Sequence, residues 1–412
     1  MPLDFEKLTE KVDEMARTAG ARNQTRHDRL ADVLAFVQDK RLAWQELERQ
    51  QEYLENSVLN SAQPRPFRGS AHPLHYDEQA LDKAVPFTKS HLPPCATIIA
   101  ADGSQIVPDR HAAFTYYLIN IGGIIYYHGQ KTADAQPRPP QPFSEPTLLF
   151  PTEIELDDDQ FTNYARITIQ RDLNEIDALA FHATEQKEAD IPLLAIMDQR
   201  LLYVPTGELA PKFKHEVVEE WQGHMRRIQQ AGAWLAGYID SPRKSSVMAM
   251  LRGIHPDRNP NDLNDMGEWA GLTDVDLYGR LLQPGQRSKL FMEVSFANKR
   301  FGRDNKVCFF YFNSGQTINN IARVDLPHWV AQDSAAVAAI HALLYDQCCI
   351  LGNYPYVITR ADEVAVVQRR DQEELEFRIG RRMDEYGLDT AAITAKAQTK
   401  LFARSEKKRF EQ

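Results

Sequence analysis

Apolar side chains recur at helical spacing near the N-terminus of the chain. The repeat is roughly the 3.6 residues of an α-helix and includes Leu30, Val33, Leu34, Val37 and Leu42. Charged side chains fill many of the intervening positions, and neither proline nor glycine interrupts residues 23–62. We therefore predict a helical N-terminal arm over residues 1–62, which packs either on the core of this chain or on a second copy.

Two proline-rich stretches follow the arm. Residues 63–94 contain six prolines, and a second such stretch covers residues 137–151. Proline breaks helices and is excluded from the middle of a sheet. Both stretches are therefore expected to be connectors.

A β pattern lies between the two connectors. Residues 96–101 form an apolar run that ends at Asp102-Gly103-Ser104, and residues 113–121 are rich in aromatic and β-branched side chains. Residues 124–128 continue this pattern after Gly122-Gly123. Two β-rich runs on either side of a glycine pair are typical of a tight hairpin. We expect three antiparallel strands here.

Helices and strands then alternate. Residues 160–188 and 211–231 have helical patterns, and each precedes a short apolar run, at residues 191–197 and 234–239. The first of these runs ends at Asp198 and is typical of a buried parallel strand. Three antiparallel strands followed by helix, strand, helix and strand predict an α/β protein with an RNase-H-like mixed sheet flanked by helices.

The last third of the chain predicts a C-terminal elaboration of this sheet. Strands are expected near residues 289–294, 306–312 and 318–326, with residues 297–301 as a further candidate strand. A helix is expected over residues 329–351, a short extended run over residues 356–359 and a charged helix over residues 361–387. We assign residues 95–390 to one domain and residues 391–412 to a basic tail.

Composition narrows the class of protein. The net charge of −10, from 48 basic and 58 acidic residues, argues against a protein that coats nucleic acid over its whole surface, but it permits a local groove. No apolar run approaches the roughly 18–20 residues that cross a membrane, and the N-terminus lacks an apolar secretory core. The four cysteines form no CxxC pair, so we expect reduced thiols in a cytoplasmic protein.

Two aspartates end the apolar runs that we expect to be buried strands. Ligands of open α/β sheets gather at the carboxyl ends of the strands, so Asp102 and Asp198 are expected to meet there. Two adjacent carboxylates repel unless a cation or a proton intervenes, and oxygen ligands favour Mg²⁺ or Mn²⁺. The alternatives are that Asp102 is a turn residue and that Asp198 caps the segment after it.

The helix before Asp198 offers a third carboxylate. Glu175 flanks the apolar positions Leu173 and Ile176 and can reach the edge of the sheet. Asp172 is the competing candidate, and a solvated helix residue is the alternative reading of Glu175. Three such carboxylates suit two-metal cleavage of a phosphodiester.

Several short segments resemble, in chain order, the motifs of the NurA family over about residues 95–370. They are residues 98–105, the helix that carries Glu175, residues 193–198, residues 237–245, residues 322–327, and residues 352–356 followed by Ala361-Asp362. The resemblance implies a manganese- or magnesium-dependent DNA nuclease with 5′-to-3′ exonuclease and single-strand endonuclease activity. It also implies an RNase-H-like core, a homodimer with a central DNA channel and a HerA-type hexameric ATPase as partner.

The resemblance also assigns roles to residues. Asp102, Glu175 and Asp198 become metal-binding catalytic residues, with Asp362 as a further metal ligand. Arg243 and Lys244 lie near the scissile phosphate, where Lys244 either stabilises developing negative charge as a catalytic residue or only binds the backbone, and Ser104 also contacts nucleic acid. The family usually carries histidine where this chain has Asp362; aspartate can still bind a hard metal but cannot donate a proton as imidazolium does.

That departure keeps other functions open. One alternative is a catalytically weak scaffold that grips DNA or docks the ATPase. A second alternative is a hydrolase or transferase of small phosphorylated substrates. The chain has no GxxxxGK[ST] loop, so we do not expect it to hydrolyse ATP itself.

Overall fold

The structure is a computed structural model that describes residues 6–39, 42, 44–57, 71–74, 81–106, 116–150, 160–257, 262, 265–317 and 319–387. Its helices are α1 (Glu6–Gln38), α2 (Trp44–Ser57), α3 (Gln160–Glu185), α4 (Pro211–Gln230), α5 (Ser246–Gly253), α6 (Asp274–Leu281), α7 (Phe296–Arg300), α8 (His328–Ala331), α9 (Ser334–Leu351), α10 (Tyr356–Ala365) and α11 (Arg369–Glu385). Its strands are β1 (Ala71–Pro73), β2 (Ala96–Ile106), β3 (Tyr117–His128), β4 (Gln141–Leu149), β5 (Leu193–Met197), β6 (Trp234–Ile239), β7 (Phe291–Glu293), β8 (Val307–Asn313) and β9 (Ile321–Pro327).

The chain folds into two compact units that alternate along the sequence. The first unit consists of Met1–Pro93, Gln199–Leu202 and Ala236–Pro355. The second unit consists of Pro94–Asp198, Tyr203–Leu235 and Tyr356–Gln412. Each unit combines helices with β-strands, which confirms the predicted mixed α/β class.

The second unit contains a mixed sheet with the strand order β5-β2-β3-β4. Strands β2, β3 and β4 are antiparallel neighbours, and β2 pairs in parallel with β5. The glycines of β2 and β3 show that helices cover both faces: a Cβ on Gly103 would meet the side chain of Arg171 in α3, and one on Gly122 would meet the backbone of α10. Asp102 is the register partner of Gly122 and therefore projects to the same face as Gly122. Gly103 is the next residue along β2, so it projects to the opposite face.

The predicted hairpin at Gly122-Gly123 is wrong, because β3 runs through both glycines without a break. These two glycines allow neighbouring elements to pack closely against β3. A Cβ on Gly122 would overlap the backbone of Ala365, and a Cβ on Gly123 would overlap the ring of Phe143. Glycine pairs look the same in a sequence whether they turn a chain or let another element touch it.

The third antiparallel strand lies instead in the second proline-rich stretch. Among the described strands, β4 pairs only with β3, and it is mostly exposed. Edge strands tolerate proline because one side of their backbone needs no ladder partner. Pro142 and Pro146 therefore fit a strand that we interpreted as a connector.

The first unit contains an antiparallel sheet with the order β1-β7-β8-β9-β6. The predicted N-terminal arm forms two helices, α1 and α2. Val33, Val37 and Leu47 from these helices are buried in one core with Phe309 and Tyr311 of β8. The arm therefore packs on its own chain, which was one of the two expected arrangements.

Four details of the last third differ from the predictions. The helix expected over residues 329–351 is two helices, α8 and α9. Residues 297–301 are mostly helical, in α7, whose first turn is capped by the Ser295 hydroxyl accepting from the Asn298 N–H. Residues 356–359 begin α10 instead of extending, because Val357, Ile358, Ala361 and Ala365 form one buried helical face. The charged helix is two helices, α10 and α11. The basic tail lies outside the described residues.

Helix α9 is the only described helix long and apolar enough to cross a membrane. More than half of it, 56%, is buried within the protein. Val337, Ile340 and Leu344 are among its buried residues. A buried apolar helix of this kind belongs to a protein core, so its composition needs no membrane to explain it.

Candidate active site

Strand pairing brings the two predicted aspartates to corresponding positions on neighbouring strands of the second unit, although Asp102 lies within β2 and not at its end. Ala101 of β2 is the register partner of Met197 in the parallel strand β5. Asp102 and Asp198 directly follow these two partners along their strands. The prediction that the two strands are parallel neighbours is confirmed. Asp102 is half-buried, whereas Asp198 is exposed.

The acidic neighbour of Asp102 is Asp362 of α10, whose carboxylate is within hydrogen-bonding reach. Burial raises the pKa of Asp102 above its ordinary value of 3.8, and the like charge of Asp362 raises it further. The Gly103 N–H, which donates to Asp102 Oδ1 at 2.8 Å, and the Arg171 guanidinium lower it. The two carboxylates together favour an added positive charge, either a proton or a cation.

Helix α10 is held in place by polar side chains of β2 and β3. The Asn120 amide donates to the Ala365 carbonyl oxygen at 2.9 Å, and the Ser104 hydroxyl donates to the same oxygen. Gly122 provides the space for this end of the helix. Ser104, predicted to contact nucleic acid, therefore uses its hydroxyl hydrogen to hold the helix that carries Asp362.

Both candidate carboxylates of α3 are buried. Asp172 Oδ2 accepts a hydrogen bond from the Tyr203 hydroxyl at 2.8 Å, and its Oδ1 accepts from the Arg171 guanidinium at 2.7 Å. Tyr203 in turn stacks on Trp221, with ring centroids 4.4 Å apart. Asp172 thus belongs to a packed network, whereas Glu175 acts on Arg171 and Tyr203 through its charge.

Arg171 is a functional candidate that sequence reasoning missed. Burial opposes its charge, but Asp172, Glu175 and Asp102 outweigh burial and raise the pKa of Arg171. Its stem lies against β2 at Gly103, where a Cβ would be 2.6 Å from Arg171 Cγ. The glycine of the Asp-Gly pair therefore admits an internal counter-ion for three carboxylates.

The donor set of this site is hard oxygen, which fits Mg²⁺ or Mn²⁺ in kind. Asp102 and Asp362 are side by side and short of positive charge, as a pair of metal ligands would be. Among the residues that the structure describes, however, no three His, Cys, Asp or Glu side chains are close enough together to hold a metal ion. The structure thus brings Asp102 and Asp362 together without assembling Glu175 and Asp198 into the same group.

The predicted basic residues lie in the first unit. Arg243 is exposed, and Lys244 Nζ donates to Glu293 Oε1 at 2.9 Å. Burial lowers the pKa of Lys244, although its ion pair with Glu293 opposes this. Glu293 and its other partners were not predicted, because they follow from tertiary packing alone.

Three comparisons place this chain among known proteins. The NurA domain profile matches residues 96–367. No curated protein sequence matches. The fold is similar to the crystal structure of the NurA nuclease from Sulfolobus solfataricus, with a TM-score of 0.47, 10% identity and coverage of 81% of this chain and 92% of that chain. It is also similar to a crystal structure of NurA bound to dAMP and manganese, with a TM-score of 0.36, 11% identity and coverage of 90% and 96%.

Proposed function

Because the chain belongs to the NurA domain family, we propose that it is a metal-dependent DNA nuclease. The observation that carries the proposal is the parallel pairing of β2 with β5, since Asp102 and Asp198 directly follow the register partners Ala101 and Met197. The acidic neighbour of Asp102 supports it further. Two-metal hydrolysis of phosphodiester bonds uses carboxylates of this kind to hold the divalent cations.

Asp102, Asp198, Glu175 and Asp362 are the proposed ligands of Mn²⁺ or Mg²⁺. A metal bound there would lower the pKa of the attacking water and stabilise the charge that develops on the phosphate and the leaving oxygen. Asp102 is held by the Gly103 N–H. Asp362 is carried by a helix whose end is fixed to Asn120 and Ser104. These contacts restrict where the two carboxylates can move.

Lys244 and Arg243 are the proposed contacts to the DNA backbone. Lysine and arginine position a phosphate without reading the base sequence. The desolvated ammonium of Lys244 would also stabilise negative charge that develops in the transition state. In its specific form, the proposal is a 5′-to-3′ exonuclease and single-strand endonuclease. Its RNase-H-like core lies in a domain over residues 95–390.

The test is cleavage of linear duplex and single-stranded DNA with Mn²⁺ by the full chain. We expect Asp102→Asn and Asp198→Asn each to lose at least about a hundredfold in rate, as removal of a charged catalytic group commonly costs. Asp134→Asn, an exposed turn residue of the same unit, is the matched control and should cleave like the wild type. Equal cleavage by all four proteins would remove the two aspartates from the mechanism.

A second candidate function is a catalytically weak scaffold that grips DNA or docks an ATPase. Arg171 favours it, because an internal cation already offsets part of the negative charge that would attract a metal. The aspartate at position 362 favours it as well. Metal-independent DNA binding with no cleavage in Mn²⁺ or Mg²⁺, together with retained binding to a HerA-type ATPase ring, would select this alternative.

The proposed assembly is a cytoplasmic homodimer that works with a HerA-type hexameric ATPase in DNA end processing or defence. The four cysteines are unpaired in the structure, as expected in a reducing compartment. Light scattering of the purified chain, with and without the ATPase, measures both associations. A monomer that does not bind the ring contradicts this part of the proposal without affecting the nuclease itself.

A further inference from the structure

A buried glutamate in the first unit holds three cationic side chains. Glu293 Oε1 accepts from Lys244 Nζ at 2.9 Å. Its Oε2 accepts from Arg200 Nη2 at 2.9 Å and from Arg323 Nη2 at 2.6 Å. Arg323 Nε also donates to Asp325 Oδ1 at 2.6 Å. We call these five residues the Glu293 cluster.

The Glu293 cluster carries more positive than negative charge. Arg200, Lys244 and Arg323 pair directly with two carboxylates, so the five residues carry one positive charge in excess, and the buried Asp274 carboxylate offsets part of it through its charge on Arg323. Burial works against ionised Glu293, but Arg323, Arg200 and Lys244 outweigh it and lower its pKa to about 2. Glu293 therefore stays ionised and cannot balance all three cations.

Hydrogen-bond donors are in excess as well. Arg200 Nε and Arg323 Nη1 are buried and have no partner within the part of the chain that the structure describes. Buried donors without partners are costly and uncommon in native proteins. Because both atoms are buried, an external anion would bind instead to the part-exposed ends of Arg200 and Lys244.

Only two members of the Glu293 cluster can meet an external ligand. The side chains of Arg200 and Lys244 are 32% and 40% exposed, whereas those of Glu293 and Arg323 are 1% exposed and that of Asp325 is 0% exposed. The buried members of the cluster thus hold Arg200 and Lys244 from the protein interior, while the outer ends of these two side chains are in contact with solvent. This arrangement fixes the cations more firmly than surface residues on a free helix.

The backbone beneath each exposed cation is also anchored. The Leu201 N–H, next to Arg200, donates to Asp325 Oδ2 at 3.3 Å. The Lys244 carbonyl oxygen accepts from the Asp274 N–H at 3.0 Å. The buried Asp274 carboxylate accepts from the N–H groups of Val247 and Met248, at 3.0 and 2.8 Å. Both cations therefore start from fixed positions, which reduces the entropy lost when a ligand binds.

We propose that Arg200 and Lys244 form a two-pronged binding site for a phosphodiester of the nucleic-acid backbone. The inference deepens the proposed function by adding Arg200 to the DNA-binding residues. The chain as a whole carries a charge of −10, so a polyanion needs a local positive site of this kind. Arginine supplies a planar pair of donors and lysine a point charge, a combination that suits the oxygens of a phosphate.

The experiment measures binding of the full chain to a fluorescently labelled DNA single strand of about 30 nucleotides, which is long enough to cover one binding site. EDTA is present, so no cleavage occurs and a failure of the nuclease proposal does not affect the result. Affinity is recorded over a range of NaCl concentrations for the wild type, Arg200→Ala, Lys244→Ala and the double variant. Lys212→Ala, at an exposed helical lysine of the second unit, is the matched control.

We expect each single variant to reduce the slope of log affinity against log salt by about 0.7, the value for one phosphate contact on a single strand. The double variant should lose about the same 0.7 in total, because both cations bind the same phosphodiester. Arg200→Lys and Lys244→Arg keep the charge and should retain most of the slope, which a loss of folding would not allow. Unchanged slopes in the alanine variants, with melting temperatures near that of the wild type, overturn the proposal.

Competition with inorganic phosphate distinguishes a site for the DNA backbone from a site for a free phosphate ion. Replacing part of the NaCl with sodium phosphate at constant ionic strength should weaken DNA binding by the wild type more than by the double variant. If inorganic phosphate competes equally for both proteins, the shared site is refuted. If phosphate binds to the wild type while the DNA slopes of all variants agree, the site serves a free anion and the backbone assignment is wrong.

Discussion

The carboxylate of Asp102 lies within hydrogen-bonding reach of the carboxylate of Asp362, so two acids meet on one face of the sheet in the second unit. Strand β2 supplies the first and helix α10 the second. The register explains the meeting, because Asp102 pairs with Gly122 and the missing side chain there lets α10 approach. Two like charges at this distance are stable only with a proton or a cation between them.

Removing one of these charges is expected to weaken metal binding. Asp362→Asn should reduce the affinity for Mn²⁺ about tenfold or more, the least that loss of a supporting partner costs at metal sites. Asp362→His restores the residue that the family usually carries and should retain most of the affinity. Isothermal titration of the full chain with MnCl₂ measures both. Glu363→Gln, at the exposed neighbouring position on α10, is the control, and an Asp362→Asn protein that binds Mn²⁺ as tightly as Glu363→Gln would contradict the ligand assignment.

The two carboxylates of α3 are expected to behave differently. Asp172→Asn takes a charged partner from Arg171 and Tyr203, so it should lower the free energy of unfolding by about 1–3 kcal/mol. Glu175→Gln, at a proposed metal ligand, should instead lower the cleavage rate about a hundredfold or more. Urea unfolding and Mn²⁺-dependent cleavage are measured on both proteins. If cleavage survives Glu175→Gln and is lost in Asp172→Asn, Asp172 takes the role that we assign to Glu175.

The Tyr203→Phe variant tests the hydrogen-bond network around Asp172 without changing the charge of Asp172. The ring still stacks on Trp221, but the hydrogen bond to Asp172 is lost, which should cost about 1 kcal/mol of stability. Because Asp172 keeps its charge and Arg171, we expect cleavage to change less than threefold, an order-of-magnitude limit equivalent to less than about 1 kcal/mol. A loss of cleavage as large as that of Glu175→Gln would show that the orientation of Asp172 matters for catalysis.

The sequence predicts the position of the two aspartates because the feature that places them is local. Asp102 and Asp198 each follow an apolar run, and the parallel pairing of β2 with β5 places the two runs in register, although β2 continues past Asp102 to Ile106. Arg171 and Glu293 have no such local feature. Arg171 gains its role from an approach to Gly103, and Glu293 gains its role from cations on three other segments. These contacts depend on packing that a single sequence does not reveal.

The two wrong predictions, a hairpin at Gly122-Gly123 and a connector over residues 137–151, also have a specific cause. A glycine pair between β-rich runs and a stretch with several prolines are the usual marks of turns and connectors. In this chain Gly122 serves contact with α10, and Pro142 lies in the edge strand β4. The number of antiparallel strands was therefore predicted correctly from two errors that offset each other, since one strand was divided and another was missed.

The explanation of Gly122 can be tested by adding a single methyl group. Gly122→Ala would place a Cβ inside the backbone of Ala365, so we expect it to lower the free energy of unfolding by about 1–3 kcal/mol, as overpacking does. Gly380→Ala is the control, because position 380 lies within α11 and a Cβ there meets nothing within 4 Å. It should stabilise the protein by up to about 1 kcal/mol. Equal effects of the two substitutions in urea unfolding would refute a special packing role for Gly122.

The ionisation of Glu293 predicts how the first unit responds to acid. Its pKa in the folded protein is about 2, below the ordinary value of 4.5, because Arg323, Arg200 and Lys244 stabilise the carboxylate against burial. A carboxyl with a lowered pKa stabilises the folded state above the unfolded-state pKa, and this contribution is lost as the pH falls through the folded-state pKa. The contribution is therefore complete above about pH 4.5 and lost between about pH 4.5 and pH 2.

Glu293→Gln removes that contribution at neutral pH. The pKa difference corresponds to about 3 kcal/mol, so the variant should be less stable than the wild type by about that amount near pH 7, with the difference shrinking as the pH falls toward about 3. Urea unfolding of both proteins across this range measures the difference, and titrations common to both cancel. Glu363→Gln breaks only an exposed ion pair with Arg360 and should shift stability by less than about 0.5 kcal/mol at any pH. A difference for Glu293→Gln that stays constant with pH would mean that its cost comes from lost packing and hydrogen bonds, and the three cations would then not be held by the charge of Glu293.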